Sequence, residues 1–158
     1  THHLIMKRRK FISLISFSFL SLSFSSFNSL SGKEKTKILN KSLSDEQKKI
    51  MFEEGTERPG SSKLNYEKRE GFYHCANCKA KLFDSSAKFD SGTGWPSFTE
   101  SLPGAFKTKI DFSHGMKRTE YHCANCGVHH GHVFHDMTKS TQKRYCNNGL
   151  CLIFIPSE

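Results

Sequence analysis

Two identical four-residue words, Cys75-Ala76-Asn77-Cys78 and Cys123-Ala124-Asn125-Cys126, carry the first chemistry in this sequence. Two C-x-x-C turns far apart in the chain read as two knuckles closing one tetrahedral Zn2+ site, because zinc favours sets of four soft thiolates. A shell filled by four cysteines has no open position, so such a zinc is structural and not catalytic. The other reading is a pair of C-x-x-C disulfides. That bond is usually a redox device, and two identical ones in one chain would be odd. The second word runs straight into Gly127-Val128-His129-His130-Gly131-His132. It therefore pins the fold and aims imidazoles. His129 and His132 are spare ligands, surface histidines or functional groups, and Gly131 between them suits close approach by another group.

Two cysteines remain. Cys146 follows Arg144 and precedes Asn148, and a strand period of two sets all three on one face. A guanidinium beside a thiol is expected to lower its pKa and supply thiolate, although a buried cysteine also serves simply as a small hydrophobe. Cys151 is five residues further on, hence on the opposite face. At about 3.3 Å per residue the two are roughly 16 Å apart along an extended strand. A disulfide needs Cα atoms within about 7 Å, so Cys151 reads as a packing residue. The loop Asp90-Ser-Gly-Thr-Gly-Trp95-Pro-Ser-Phe98 displays the single Trp in a turn held by Pro96. No G-K-[ST] follows, so it is not a phosphate loop.

These groups need a scaffold. Ser44-Asp45-Glu46-Gln47 is a capping box, predicting a helix from about Asp45 to Glu54 that stops at Gly55. Thr56 to Asn65 reads as irregular chain wrapping a core. Beyond it, glycines and prolines interrupt short apolar runs and no helical period survives, so the body is mainly β. Arg144 to Ile155 is expected to form the last strand, stopped by Pro156.

The net charge of +9 is unevenly spread. Residues 1–44 hold eight of the 24 Lys/Arg and one of the 15 Asp/Glu, a net +7, leaving +2 for residues 45–158. A nearly neutral body with no basic helix after a knuckle argues against nucleic acid as a partner. The basic run Lys7-Arg-Arg-Lys10 followed by the apolar, Ser-rich run Phe11 to Phe24 has the form of an export signal. The run is too short and too Ser-rich for a membrane span. Arg8-Arg9-x-Phe11-Ile12 resembles a twin-arginine signal, and an organellar transit peptide is the alternative. The expected organisation is a leader over 1–32, a charged linker over 33–43 and one domain over 44–158, giving an exported, periplasmic or secreted protein.

From about Leu43 to Pro156 the sequence resembles the methionine-R-sulfoxide reductases, the MsrB family. The resemblance rests on Gly55-Thr-Glu-Arg-Pro59, the two knuckles, Lys88 to Phe98, Asp111-Phe-Ser-His-Gly-Met116, His129-x-Gly-His-Val-Phe134 and Arg144-Tyr-Cys-x-Asn148. It implies two antiparallel sheets with a short N-terminal helix and a structural zinc on the knuckles. It implies that Cys146 is the nucleophile, and that His129, His132, Asn148 and Arg144 orient substrate and handle protons at the sulfoxide oxygen. Trp95 and Phe134 are implied to hold the methyl end. Oxidised proteins or peptides are the implied substrates, a thioredoxin-like or other thiol the implied reductant, and a monomer the expected state. Many members carry a resolving cysteine where this chain has Thr93, so the usual disulfide cannot form. Either an external thiol reduces the sulfenic acid of Cys146, or another thiol reaches in.

Overall fold

The computed structural model describes residues 36–158. The leader expected over 1–32 lies outside the described residues. The first helix, α1 (Asp45–Glu53), starts on the capping box: Ser44 Oγ accepts from Gln47 N at 3.1 Å, and Gln47 Oε1 accepts from Ser44 N at 3.0 Å. The free end of Gln47 donates to the Leu150 carbonyl at 2.9 Å, fastening the helix to the C-terminal part of the chain. The helix stops one residue short of expectation because Glu54, at φ 59, takes the left-handed cap before Gly55. Its buried residues are Ile50 and Met51.

Nine strands follow: β1 (Gly71–Cys75), β2 (Lys81–Asp84), β3 (Lys88–Phe89), β4 (Ser97–Phe98), β5 (Phe106–Asp111), β6 (Arg118–Cys123), β7 (His129–His135), β8 (Lys143–Asn147) and β9 (Leu152–Pro156). They form two antiparallel sheets, β2-β1-β9 and β3-β4-β8-β7-β6-β5. The expectation of a mainly β fold with two antiparallel sheets and one short helix holds. Alternation does the sorting: along β1, Gly71, Tyr73 and Cys75 are buried while Phe72 and His74 are half-exposed. Aromatic rings join the sheets, with Phe83 of β2 stacked on Phe98 of β4 at 3.9 Å between centroids and Tyr73 edge-on to Phe98 at 4.9 Å.

The expected last strand is two. β8 ends at Asn147, a 3-10 turn runs over Gly149–Cys151, and β9 then joins the smaller sheet. Glu57 is the reason. Its buried carboxylate accepts from Gly149 N at 2.6 Å and Leu150 N at 2.9 Å, taking the donors a continuing strand would have given to a neighbour. Asn148 completes the break, with Oδ1 accepting from Glu57 N at 3.0 Å and Nδ2 donating to the His130 carbonyl at 3.0 Å. The separation of Cys146 from Cys151 therefore does not rest on an extended strand. Cys151 is fully buried, and its thiol points at the His129 carbonyl, 3.5 Å away.

Candidate active site

The two knuckles are built alike. In the first, Lys79 N donates to Cys75 O at 2.9 Å and Cys75 N to Ala80 O at 2.8 Å. In the second, Gly127 N donates to Cys123 O at 2.8 Å and Cys123 N to Val128 O at 2.9 Å. Both turns end in a left-handed residue, Lys79 at φ 65 and Gly127 at φ 73. A ring nitrogen buttresses each one, His74 Nδ1 on the Lys79 carbonyl at 2.9 Å and His122 Nδ1 on the Gly127 carbonyl at 3.3 Å. The first knuckle also ties down the end of the expected linker, since Asn77 Oδ1 accepts from Leu39 N and Asn40 N at 2.8 and 3.2 Å.

All four sulfurs converge within 4.8 Å of one another. Cys75 and Cys126 sulfurs are 3.8 Å apart, and those of Cys78 and Cys123 are 3.6 Å apart. Those gaps are far longer than a disulfide bond of about 2.05 Å. They match the edge of a tetrahedron whose metal–sulfur bonds are about 2.3 Å, roughly 3.8 Å. The thiols are free and can hold a metal ion.

Past the second knuckle, β7 pairs with β8 so that His132 faces Cys146 and Phe134 faces Arg144. Gly131 makes this approach possible, because a Cβ there would run into the Cys146 carbonyl. A cavity of about 160 Å³ opens over the pair, lined by Thr56, Trp95, Arg118, Gly131, His132, Phe134, Cys146, Asn147 and Asn148. Trp95 is anchored by its indole N–H, which donates to the Glu57 carbonyl at 3.1 Å. Arg144 stacks on the Phe134 ring at 4.7 Å, and its charge favours the Cys146 thiolate. Of the residues expected to act together, Cys146, His132, Asn148, Trp95 and Phe134 line one cavity, with Arg144 beside it. His129 lies behind it, buried, with Nε2 3.4 Å from Asn148 Nδ2.

The thiol does not have the lowered pKa expected of it. Burial pushes Cys146 upward, and the opposing pulls of Arg144 and a Thr93 hydrogen bond do not cancel it. His132 is shifted down by burial, against the pull of Asp111. Both shifts favour the uncharged form, a thiol facing a neutral imidazole.

Four more residues hold these groups, and sequence reasoning gave none of them a role. Asp111 Oδ2 accepts from His132 Nε2 at 2.8 Å and from Arg118 at 2.7 Å. Hydrogen bonds from Ser113, His132 and Arg118 keep the Asp111 carboxyl well below the usual carboxylate range. Arg118 lines the cavity, and its Nε is buried with no hydrogen-bond partner in the protein. Glu120, buried on β6, sits 2.5 Å from His129 Nδ1 and 3.0 Å from His122 Nε2. Burial works to raise the Glu120 pKa, but the nearby rings of His122 and His129 outweigh it and hold it very low. Lys109 adds its ammonium 3.2 Å from the same carboxylate. With Asn148 donating to His129 Nε2, the ring proton belongs on Nδ1 and donates to Glu120. Glu57 is the fourth; it shapes the Asn148 turn as described above. Alternation along β6 puts Glu120 on the face opposite the buried Tyr121 and Cys123, so nothing local marks it as buried, or Asp111 and Arg118 as neighbours of His132.

Residues 43–156 match the model of the SelR domain. The chain belongs to the SelR, or MsrB, family. The peptide methionine sulfoxide reductase MsrB of Pseudomonas fluorescens is 51% identical over 115 residues, spanning 72% of this chain and 88% of that protein. The MsrB of Pseudomonas entomophila is 51% identical over 117 residues, 73% of this chain and 89% of its own length. That of Variovorax paradoxus is 55% identical over 100 residues, covering 63% and 74%. Among solved structures, the Mis18 'Yippee-like' domain covers 57% of this chain at a TM-score of 0.47 and 14% identity, too slight a likeness to argue from. The matched SelR residues contain both knuckles and every cavity-lining residue.

Alkylation reads the state of the thiol. The rate of Cys146 modification by iodoacetamide in substrate-free protein should climb with pH and level off only above the range of an ordinary cysteine, about 8.5. Replacing Arg144→Met removes a charge that favours the thiolate, so the inflection should move further up. Peptide mass mapping across pH checks both, and a plateau below neutral pH would contradict the burial argument.

Proposed function

We propose that this chain is an exported enzyme that reduces methionine-R-sulfoxide in oxidised proteins, with Cys146 as nucleophile. The observation that carries this reading is a cysteine facing a histidine across one strand pair, under a cavity sized for a single side chain and walled by Trp95 and Phe134. The stereochemical preference and the leader's role rest on the family resemblance and the sequence of residues 1–32, respectively.

The chemistry balances with the groups present. Cys146 sulfur attacks the sulfoxide sulfur and forms an S–S bond as the oxygen is protonated; that bond and the S–O bond of the substrate then break as the hydroxyl passes to Cys146 sulfur, and methionine leaves as the thioether. The thiol is oxidised to a sulfenic acid as the sulfoxide is reduced. A neutral resting thiol carries the proton that the sulfoxide oxygen requires, and His132 is positioned to pass it across. Arg118, whose Nε has no partner in the protein, supplies a donor at the same wall, while Asn148, whose amide is taken up by His129 and His130, shapes that wall. His129, oriented by Glu120, holds Asn148 from behind. Trp95 and Phe134 supply the apolar seat for the methyl group.

The sulfenic acid must then be reduced. Thr93 stands where a resolving cysteine would be, and the Cys151 thiol is sealed in the core. Two equivalents of an external thiol, thioredoxin-like or small, therefore regenerate Cys146 and release water and a disulfide. Zn2+ held by Cys75, Cys78, Cys123 and Cys126 is structural, joining the two sheets away from the reacting atoms. The enzyme acts as a monomer, without nucleic acid.

Two expectations follow. With a thiol donor, the wild type should consume the R but not the S diastereomer of a methionine sulfoxide peptide, and Cys146→Ser should fall to background; chiral chromatography of the residual substrate reads both. Consumption of the S form, or turnover by the Ser variant, would contradict the assignment. For the metal, one equivalent of zinc should copurify, and Cys78→Ser or Cys126→Ser should lose both zinc and the folded circular-dichroism signal, since metal binding is part of the folding free energy. A metal-free protein that stays folded and active would overturn the structural role.

A further inference from the structure

Eight large apolar side chains are exposed among the described residues, and Ile110, Phe112 and Met116 of that set fall within seven consecutive positions. Phe112 is 71% exposed and Met116 59%. Both belong to the turn joining β5 to β6, and that turn is built rather than loose. Asp111 accepts from Ser113 N at 2.8 Å and Ser113 Oγ at 3.0 Å. Arg118 donates to Ser113 Oγ at 2.8 Å and to His114 Nδ1 at 3.2 Å. His114 and Gly115 are both left-handed, at φ 59 and 69, which turns the chain sharply between the two apolar side chains. An ordered turn that holds a phenyl ring and a thioether in water, with none of the described residues over them, is an interaction surface.

Its location says what it meets. The cavity over Cys146 has room for one side chain, about 160 Å³, so polypeptide on either side of the reacting residue must lie outside on the rim. The turn is that rim on one side: Arg118, which lines the cavity, hydrogen-bonds into the turn, and Asp111 at its base holds His132. Methionine is mostly buried in folded proteins, among apolar neighbours. Residues that share its buried face recur at i±2 in a strand and at i±3 and i±4 in a helix, so an unfolded segment that offers an oxidised methionine also offers apolar side chains a few positions away. A flexible thioether beside an aromatic ring can accommodate many such sequences.

We propose that Phe112 and Met116 form a docking surface for apolar residues flanking the methionine sulfoxide in an unfolded or extended polypeptide. The proposal rests on the reductase reading above and adds to it a basis for selecting protein-bound over free substrate. The competing account is that the turn only positions Arg118 and His132.

The test compares three substrates: methionine-R-sulfoxide between leucines, between serines, and as the N-acetyl amide. In Phe112→Ser/Met116→Ser, kcat/KM for the leucine-flanked peptide should fall about tenfold, the order expected when two large apolar contacts are lost. The other two substrates should stay within about twofold. An equal loss on all three would assign the turn a positioning role and overturn the docking proposal, as would no loss on any. Binding of a fluorescent leucine-flanked sulfoxide peptide to the Cys146→Ser protein, with and without the two turn substitutions, separates docking from chemistry. Weaker binding with the substitutions supports docking even if turnover fails, whereas equal binding overturns it. A wild type inert toward all three substrates would count against the reductase reading itself.

Discussion

Four sulfurs decide how this molecule is assembled. Cys75 and Cys78 sit at the turn between β1 and β2 of the small sheet, and Cys123 and Cys126 at the turn between β6 and β7 of the large one. Convergence of the two turns to sulfur separations of 3.6 and 3.8 Å fixes the sheets to each other at one end. β7 starts three residues after Cys126, so the positions of His129 and His132 are set directly by the cluster. The small aromatic core, led by Phe83, Phe98, Tyr73 and Tyr121, fills the space that the closure defines. Small domains gain most from such a staple, because their own core supplies limited burial.

A second constraint shapes the reacting end. Glu57 reaches from the irregular segment after α1 and takes the backbone donors of Gly149 and Leu150. Burial pushes its pKa up while those two N–H groups pull it down, so the carboxylate is held by local dipoles and not by a cationic partner. By ending β8 at Asn147, this contact sends Asn148 back toward His129 and leaves Cys146 beside the strand end. The same break sends Cys151 into the core.

Much of this was legible in the sequence, and the part that was not has a physical reason. The repeated Cys-Ala-Asn-Cys word carried the four-cysteine cluster, and Ser44 with Gln47 carried the helix start, because both are local patterns. Cys146, His132, Trp95 and Phe134 were named from short words and do share one cavity. The single long strand from Arg144 to Ile155 was wrong because the segment reads as continuous, yet a carboxylate some ninety positions earlier in the chain takes the backbone donors of Gly149 and Leu150. Depression of the Cys146 pKa by Arg144 failed for a related reason: the sequence gives the neighbour, not the depth of burial that opposes it. Asp111, Arg118 and Glu120 went unassigned because their partners are reached only across sheet neighbours.

The central claim is that one thiol, facing a histidine and with no second thiol in reach, accepts the oxygen of a methionine sulfoxide. The most direct measurement is the mass of the protein after mixing with one equivalent of a methionine-R-sulfoxide peptide in the absence of reductant, with a sulfenic-acid trap present. The account predicts one trapped adduct per chain, on the peptide containing Cys146, with Cys151 still a free thiol. A disulfide between Cys146 and Cys151, or an adduct on any other cysteine, would contradict it.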